Sequence, residues 1–238
     1  MKKNNDTQDI VEKYKNLGND NCTTYLAYRD IPKVISIHHK GGYRSLDYGC
    51  GAGRSTRLLR YLGFNVTSVD TSQKMIKQAM NIDPDGLYSV IKSGDLPYDD
   101  GTFDLVYSSL VLFDITTLAE MTSICREIQR VLKDGGTFIV VTGSVGMYKY
   151  EYLTIEGRFP ENQNLKSGDL AKLHIKPVDI TFSDVYWEDR DYKKVFDDAG
   201  LNLIETRYPI GLKSESAPWK DELKYSPYVI YTLRKGLS

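Results

Sequence analysis

The sequence predicts an α/β fold: a mostly parallel, Rossmann-like sheet of seven strands, helices on both faces and an antiparallel last strand. Three observations predict it. From Arg44 onward, short strand-like segments alternate with amphipathic ones, the pattern of parallel strands joined by crossover helices. A glycine-rich turn follows the first of these strands and opens a helix. Near the end the rhythm breaks: two strand-like segments follow each other with no helical pattern between them, and such strands pair antiparallel or leave the sheet.

Taken in order, Ile10, Val11, Tyr14 and Leu17 keep one face of a first helix, which Gly18-Asn19-Asp20-Asn21 breaks. A second helix is expected from Thr24 to His39, before Gly41-Gly42. Ser45-Leu46-Asp47-Tyr48 reads as a strand, and Arg54 to Leu62 as a helix stopped by Gly63. Phe64 to Val69 is the second strand, with Asp70 or Thr71 expected to cap a helix running through Met80. Leu87 to Ile91 and Phe103 to Ser108 are further strands. Leu118, Met121, Ile124, Cys125, Ile128, Val131 and Leu132 give the helix Thr117 to Leu132 one apolar side. Asp134-Gly135-Gly136 ends it, and the β-branched run Thr137 to Thr142 suits a buried central strand. A helix from Glu188 to Ala199 stops at Gly200, and Leu201 to Tyr208 and Tyr228 to Leu233 are the last two strands.

Charge narrows the function classes. With 31 basic and 32 acidic side chains the chain lacks the cationic excess that a phosphate backbone calls for, so no nucleic-acid partner is expected. Cys22, Cys50 and Cys125 fit neither a disulfide framework nor a zinc spacing and read as reduced thiols. The first residues are polar and no stretch is long and apolar enough for a membrane span, so the expected location is cytoplasmic, without a membrane partner.

The turn Leu46-Asp47-Tyr48-Gly49-Cys50-Gly51-Ala52-Gly53-Arg54 lets backbone amides approach a ligand closely, although a plain tight connection would also use glycine there. Its spacing is G-x-G-x-G. The pyrophosphate-binding pattern would require a further glycine where Arg54 stands. Asp70, about 20 residues on at the end of the second strand, is placed for a carboxylate that accepts both ribose hydroxyls, and helix capping is compatible with that role.

On these residues the chain resembles the class I S-adenosylmethionine-dependent methyltransferases. Leu46 to Arg54 is similar to their motif I, and Asp70-Thr71-Ser72-Gln73-Lys74-Met75-Ile76 to motif II. Ser93-Gly94-Asp95-Leu96-Pro97-Tyr98 and Phe103-Asp104-Leu105-Val106 resemble the third and fourth motifs, and Glu127 to Gly136 the helix and turn before strand five. The resemblance implies S-adenosylmethionine as cofactor, S-adenosylhomocysteine as product, and no metal. It also implies roles. Gly49, Cys50 and Gly51 line the methionine part, with Asp47 below the turn accepting amides or reaching the cofactor's amino group. Asp70 holds the ribose. Thr71 and Met75 flank the adenine, Asp95 in the Gly94-Asp95-Leu96 loop accepts from its amino group, and Leu96 packs on the ring. Ser109 faces the sulfonium.

About 40 residues separate Thr142 from Glu188, too many for a passive connection, and aromatic side chains crowd them. Loops at the carboxyl ends of parallel strands bind ligands, so this insertion is expected to close over the methyl acceptor through Tyr148, Tyr152, Tyr186 and Trp187; a purely structural insertion is the alternative. The segment Val178 to Tyr192 loosely resembles bacterial toxoflavin-biosynthesis-like N-methyltransferases. In such enzymes a segment similar to Tyr25-Leu26-Ala27-Tyr28-Arg29-Asp30 folds over the cofactor. That places Tyr25 at the acceptor, Tyr28 and Arg29 at the cofactor, and suggests that Arg29 pairs with the methionine carboxylate. His174 is the one histidine in the insertion and the candidate general base, with a surface histidine as the alternative.

The expected organisation is one domain, 1–238: a helical cap (1–42), a cofactor-binding core (43–142), a lid (143–187) and a completion of the sheet (188–238). The expected reaction is methyl transfer to nitrogen or oxygen of a small molecule, in specialised bacterial metabolism. A non-catalytic cofactor-binding partner and an RNA or protein methyltransferase are the rivals. Tyr107-Ser108-Ser109-Leu110 stands where methyltransferases of DNA bases and protein glutamines carry Asn-Pro-Pro-Tyr.

Overall fold

A computed structural model describes residues 21–236; the helix expected around Ile10 to Leu17 lies outside them. After a short turn at Thr23–Tyr25, α1 (Leu26–Arg29) and α2 (Ile31–His38) occupy the span expected as one helix. The break falls at Asp30 because Pro32, near the start of α2, has no N–H to continue the ladder and its ring crowds the preceding turn.

The core then alternates as expected: β1 (Arg44–Tyr48), α3 (Arg54–Tyr61), β2 (Asn65–Asp70), α4 (Gln73–Ile82), β3 (Leu87–Val90), β4 (Phe103–Ser109), α5 (Leu118–Val131) and β5 (Leu132–Gly143). Two boundaries differ. Ser72, not Asp70 or Thr71, caps α4: its Oγ accepts from the Met75 amide at 3.3 Å, while Asp70 accepts from Ser72 N at 2.8 Å. β5 begins directly after α5, and its register against β4 jumps from Phe103↔Leu132 to Leu105↔Thr137. The extra residues around Asp134-Gly135-Gly136 loop out there, with Gly135 at φ +70°.

The insertion is not a loop. β6 (Ile155–Glu156), β7 (Leu170–Ile175) and β8 (Ile180–Val185) form a separate antiparallel sheet. α6 (Asp189–Asp198), β9 (Leu201–Arg207) and β10 (Tyr228–Lys235) complete the main one, in the order β3-β2-β1-β4-β5-β10-β9. Both pairings of β10, with β5 and with β9, are antiparallel.

Alternation along the central strands builds two apolar layers. Leu46, Val106, Phe138, Val140 and Tyr231 pack toward α5 and α6; Leu105, Tyr107, Ile139, Val141 and Ile230 pack with α1, α2 and Leu59 of α3. Strand order reverses between β1 and β4, which opens a crevice at their carboxyl ends, where open α/β sheets bind ligands. No helix among the described residues is long and apolar enough to cross a membrane.

Candidate functional site

The crevice is built by the turn after β1. Gly49, at φ +76°, takes a conformation that only glycine adopts without cost, and a Cβ there would stand 2.3 Å from Val111 Cγ2 across the crevice. At Gly51, φ +51°, an added Cβ would meet nothing within 4 Å, so the turn presents bare backbone to open space. Asp70 fixes it from the neighbouring strand by accepting from Gly51 N at 2.8 Å. Tyr48 ties the turn to the loop after β3, its hydroxyl accepting from Gly94 N at 3.2 Å.

Beneath the turn lies Asp47, fully buried. Its Oδ2 accepts from Ser55 Oγ at 2.7 Å and Thr56 Oγ1 at 2.6 Å, both on the first turn of α3. Its Oδ1 is sealed and has no hydrogen-bond partner among the described residues. Burial, opposed by those two hydroxyls, pushes its pKa up to about 6. A buried acceptor left unsatisfied costs free energy, and such a position is stable only when something else is gained there.

On the β4 side, Tyr107 sits beside Asp47 in the sheet, and the Tyr107 and Ser109 hydroxyls are buried with no hydrogen-bond partner among the described residues. Leu110 follows at φ +60°, a strained conformation for leucine, and turns the chain sharply into Val111. Tyr28 of the cap closes over this cluster, with the Arg54 guanidinium 4.0 Å from its ring centroid.

The structure therefore brings together Tyr28, Asp47, Gly49, Cys50, Gly51, Asp70 and Ser109 around one crevice. Thr71 and the half-buried Met75 follow Asp70 at the start of α4, and Asp95 is exposed beside them on the loop that Tyr48 anchors. Leu96 differs from expectation. Its side chain is 3 % exposed and packs in the core with Ile124 and Met121, so it anchors the Asp95 loop from below rather than offering a free apolar face. Cys50 is buried, and desolvation with the Asp47 and Asp70 charges pushes its thiol up, leaving it unreactive. Arg29 also differs: it is committed to two carboxylates, Asp30 Oδ1 at 2.8 Å and Glu215 Oε1 at 2.9 Å, and to the Ile210 carbonyl. The arginine at the crevice is Arg54. In the sequence it marks the start of the helix and stands where the pyrophosphate-binding pattern has a glycine.

In the lid, the pairs Ala171↔Asp184 and Leu173↔Phe182 share one face of the small sheet, while Lys172↔Ser183 and His174↔Thr181 share the other. Ala171 and Leu173 pack in the core, so His174 points outward, its Nδ1 3.0 Å from Thr181 Oγ1. That placement separates His174 from the crevice. Tyr148 and Tyr186 lie on the inner side with ring centroids 5.6 Å apart, and Trp187 Nε1 donates to the Ile115 carbonyl at 3.1 Å, pinning the lid to the β4–α5 connection. Tyr25 stacks on Trp219, and Tyr152 is fully buried in the packing of cap against lid. Glu222, fully buried, knots the parts together: it accepts from Thr23 Oγ1 of the cap and Leu153 N of the lid, each at 2.7 Å.

Residues 46–140 match the family described as methyltransferase domain. An uncharacterized methyltransferase of Synechocystis sp. is 38% identical over 100 residues, 42% of this chain and 47% of the relative. A malonyl-[acyl-carrier protein] O-methyltransferase of Buchnera aphidicola is 33% identical over 147 residues, 58% of each chain. The chain thus spans about half the length of the curated relatives it matches. Among solved structures, an S-adenosylmethionine-dependent methyltransferase from Mesorhizobium loti superposes with a TM-score of 0.66 at 19% identity, covering 88% of this chain and 98% of that one.

Proposed function

We propose that this chain, a class I S-adenosylmethionine-dependent methyltransferase by its domain match and its fold, methylates nitrogen or oxygen of a small-molecule acceptor in the cytoplasm. The observation that carries the cofactor reading is Asp47 Oδ1, a buried acceptor with no partner among the described residues, beneath a glycine turn that presents bare backbone. An ammonium group is the donor that would satisfy it, and Arg54 on the same helix turn would meet a carboxylate; together they fit the amino-acid end of the cofactor. Asp70, already holding the turn, would take the ribose hydroxyls, and Asp95 the exocyclic amine of the base.

Bound S-adenosylmethionine supplies an electrophilic methyl group, which the acceptor's lone pair takes as the carbon–sulfur bond breaks and its electron pair stays on sulfur. The residues of the chain have little bond-making to do. Their work is alignment and exclusion of water. Ser109 and Tyr107 would hydrogen-bond at the reacting end of the crevice, and the strained Leu110 sets the direction of the chain that walls it. The lid, anchored by Trp187, would cover the acceptor. His174 faces outward on the small sheet, so a base, where an acceptor needs one, would have to come from elsewhere.

The experiment is release of S-adenosylhomocysteine from S-adenosylmethionine in the presence of pooled small amines, phenols and hydroxy compounds, with total RNA and a denatured protein lysate as parallel acceptors. Turnover confined to the small molecules is the expected result. Turnover confined to RNA or protein would overturn the acceptor class, and cofactor binding with no turnover anywhere would indicate a non-catalytic partner protein.

A further inference from the structure

The loop that carries Asp95 runs from the end of β3 to Phe103 at the start of β4, and Asp95 is exposed on it. A carboxylate on such a loop discriminates between ligands only when other parts of the chain hold its backbone in place. Helix α5 supplies that support at three heights. In its first turn, Glu120 Oε1 accepts from Ser93 Oγ at 3.3 Å. In its middle, Gly94 lies on Ile124, whose Cγ1 would stand 3.4 Å from an added Cβ, and the buried Leu96 packs in the same apolar cluster. In its last turn stands Arg130.

Arg130 is committed to this loop. Its Nη2 donates to the Leu96 carbonyl at 2.9 Å and its Nη1 to the Tyr98 carbonyl at 2.7 Å, which bracket Pro97 directly after Asp95. Glu127, one helical turn back, orients the fork by accepting from Nε and Nη2, each at 2.9 Å. Nη1 also reaches Asp100 Oδ1 at 2.7 Å, and the Arg130 carbonyl accepts from Gly101 N at 3.0 Å. One residue thus holds the chain at 96, 98, 100 and 101. The geometry needs a guanidinium, since a single ammonium cannot span two carbonyls while a carboxylate grips it from behind. An arginine in the last turn also favours the helix dipole, but that role calls for no contact with carbonyls of another segment.

We propose that Arg130 is the positioning residue for recognition of the cofactor's base: through the Leu96 and Tyr98 carbonyls it fixes Asp95 where its carboxylate meets the exocyclic amine, and so sets the preference for adenine over a base that carries a carbonyl there. The proposal rests on the methyltransferase reading and on the place of Asp95 in it. Arg130 touches neither cofactor nor acceptor and acts only through the loop. With the loop held, the carboxylate accepts from an amine and repels a carbonyl oxygen, so the wrong base leaves two acceptors facing each other. With the loop released, the exposed carboxylate stays in water and the two bases bind alike.

The test is calorimetric titration of the full chain with S-adenosylhomocysteine and S-inosylhomocysteine, which differ only in the base, an amine in one and a carbonyl in the other. The unmodified chain is expected to prefer the adenine compound by at least about tenfold. Arg130 is 31 % exposed, so its truncation leaves the core packing in place. In Arg130→Ala the preference should shrink to within about threefold, through lost affinity for the adenine compound, with the inosine compound changed by no more than about threefold. Arg130→Lys keeps a cation at the helix end without the fork and should fall between. Asp100→Asn removes the most exposed partner of Arg130 and keeps both carbonyl bonds, and should leave both affinities within about twofold. No binding of S-adenosylhomocysteine to the unmodified chain would refute the methyltransferase reading itself. With that binding present, equal affinity for the two compounds would overturn the proposal alone. So would a preference undiminished in Arg130→Ala, or in Arg130→Lys should the alanine variant not fold, since a merely stabilising arginine would lower the melting temperature and leave the preference unchanged.

Discussion

The crevice at β1 and β4 and the lid above it hold buried polar groups by different means. At the crevice the groups come from consecutive residues of a strand, a turn and a helix start: Asp47, the glycine turn, then Ser55 and Thr56. Their geometry is set within the β1–α3 unit, with Asp70 of the neighbouring strand and the Gly94 loop holding the turn from outside it. On the inner face of the lid sheet the polar group is a single aspartate, Asp184, held in place by a separate three-stranded sheet, by Trp187 and by the Glu222 knot. The first region is assembled locally and the second by long-range contacts. Substitutions should therefore separate cofactor affinity from acceptor affinity and from stability.

The largest effect is expected at the turn. Gly49→Ala places a Cβ against Val111 at a φ that alanine resists, and S-adenosylhomocysteine affinity should fall by about 100-fold or more, read by calorimetry. Retained affinity would mean that the turn is not the cofactor cradle.

Next is the knot. Glu222→Ala leaves the donors from Thr23, Leu153 and Lys220 without their buried acceptor, and should cost about 3 kcal/mol of stability in chemical denaturation. Refolded protein should still bind the cofactor product, because the turn does not depend on this contact.

Asp47→Asn sharpens the contrast from the other side. A carboxyl whose folded pKa is raised binds its proton more tightly folded than unfolded, so its contribution is favourable below about pH 4 and is lost as pH rises toward about 6. Asparagine removes that loss, and the variant without ligand should be more stable at pH 7 by up to about 2–3 kcal/mol while binding the cofactor more weakly. Stability that falls at pH 7 in the variant would show that the hydroxyl bonds from Ser55 and Thr56 need the charge.

The smallest effects belong to Trp187 and to the outer face of the lid sheet. Trp187→Phe loses one hydrogen bond, about 1 kcal/mol, and should raise acceptor KM with little change in cofactor affinity. His174→Ala should leave turnover unchanged within about twofold, since the ring lies on the outer face. A large loss in kcat would return His174 to the chemistry.

The same contrast explains what the sequence could convey. The seven main strands and their helices are legible because each announces itself within about ten residues through periodicity and a glycine or capping stop. The lid sheet is not: β6 is two residues long, and β7 and β8 gain their pattern only against each other and the core. Without the strand assignment, the alternation that turns Asp184 inward and His174 outward cannot be read from the sequence. Arg29 and Arg54 show a related limit. Both are basic residues near the crevice in sequence terms, and only the fold shows that Asp30 and Glu215 occupy the first.

The central claim is that the glycine turn and Asp47 form a cofactor site independent of the lid. Titration of S-adenosylhomocysteine into the unmodified chain, Gly49→Ala and Trp187→Phe tests it most directly. One-to-one binding at roughly micromolar affinity is expected in the unmodified chain and in Trp187→Phe, and affinity at least about 100-fold weaker in Gly49→Ala. No binding to the unmodified chain at about millimolar ligand, or equal binding by all three, would contradict it.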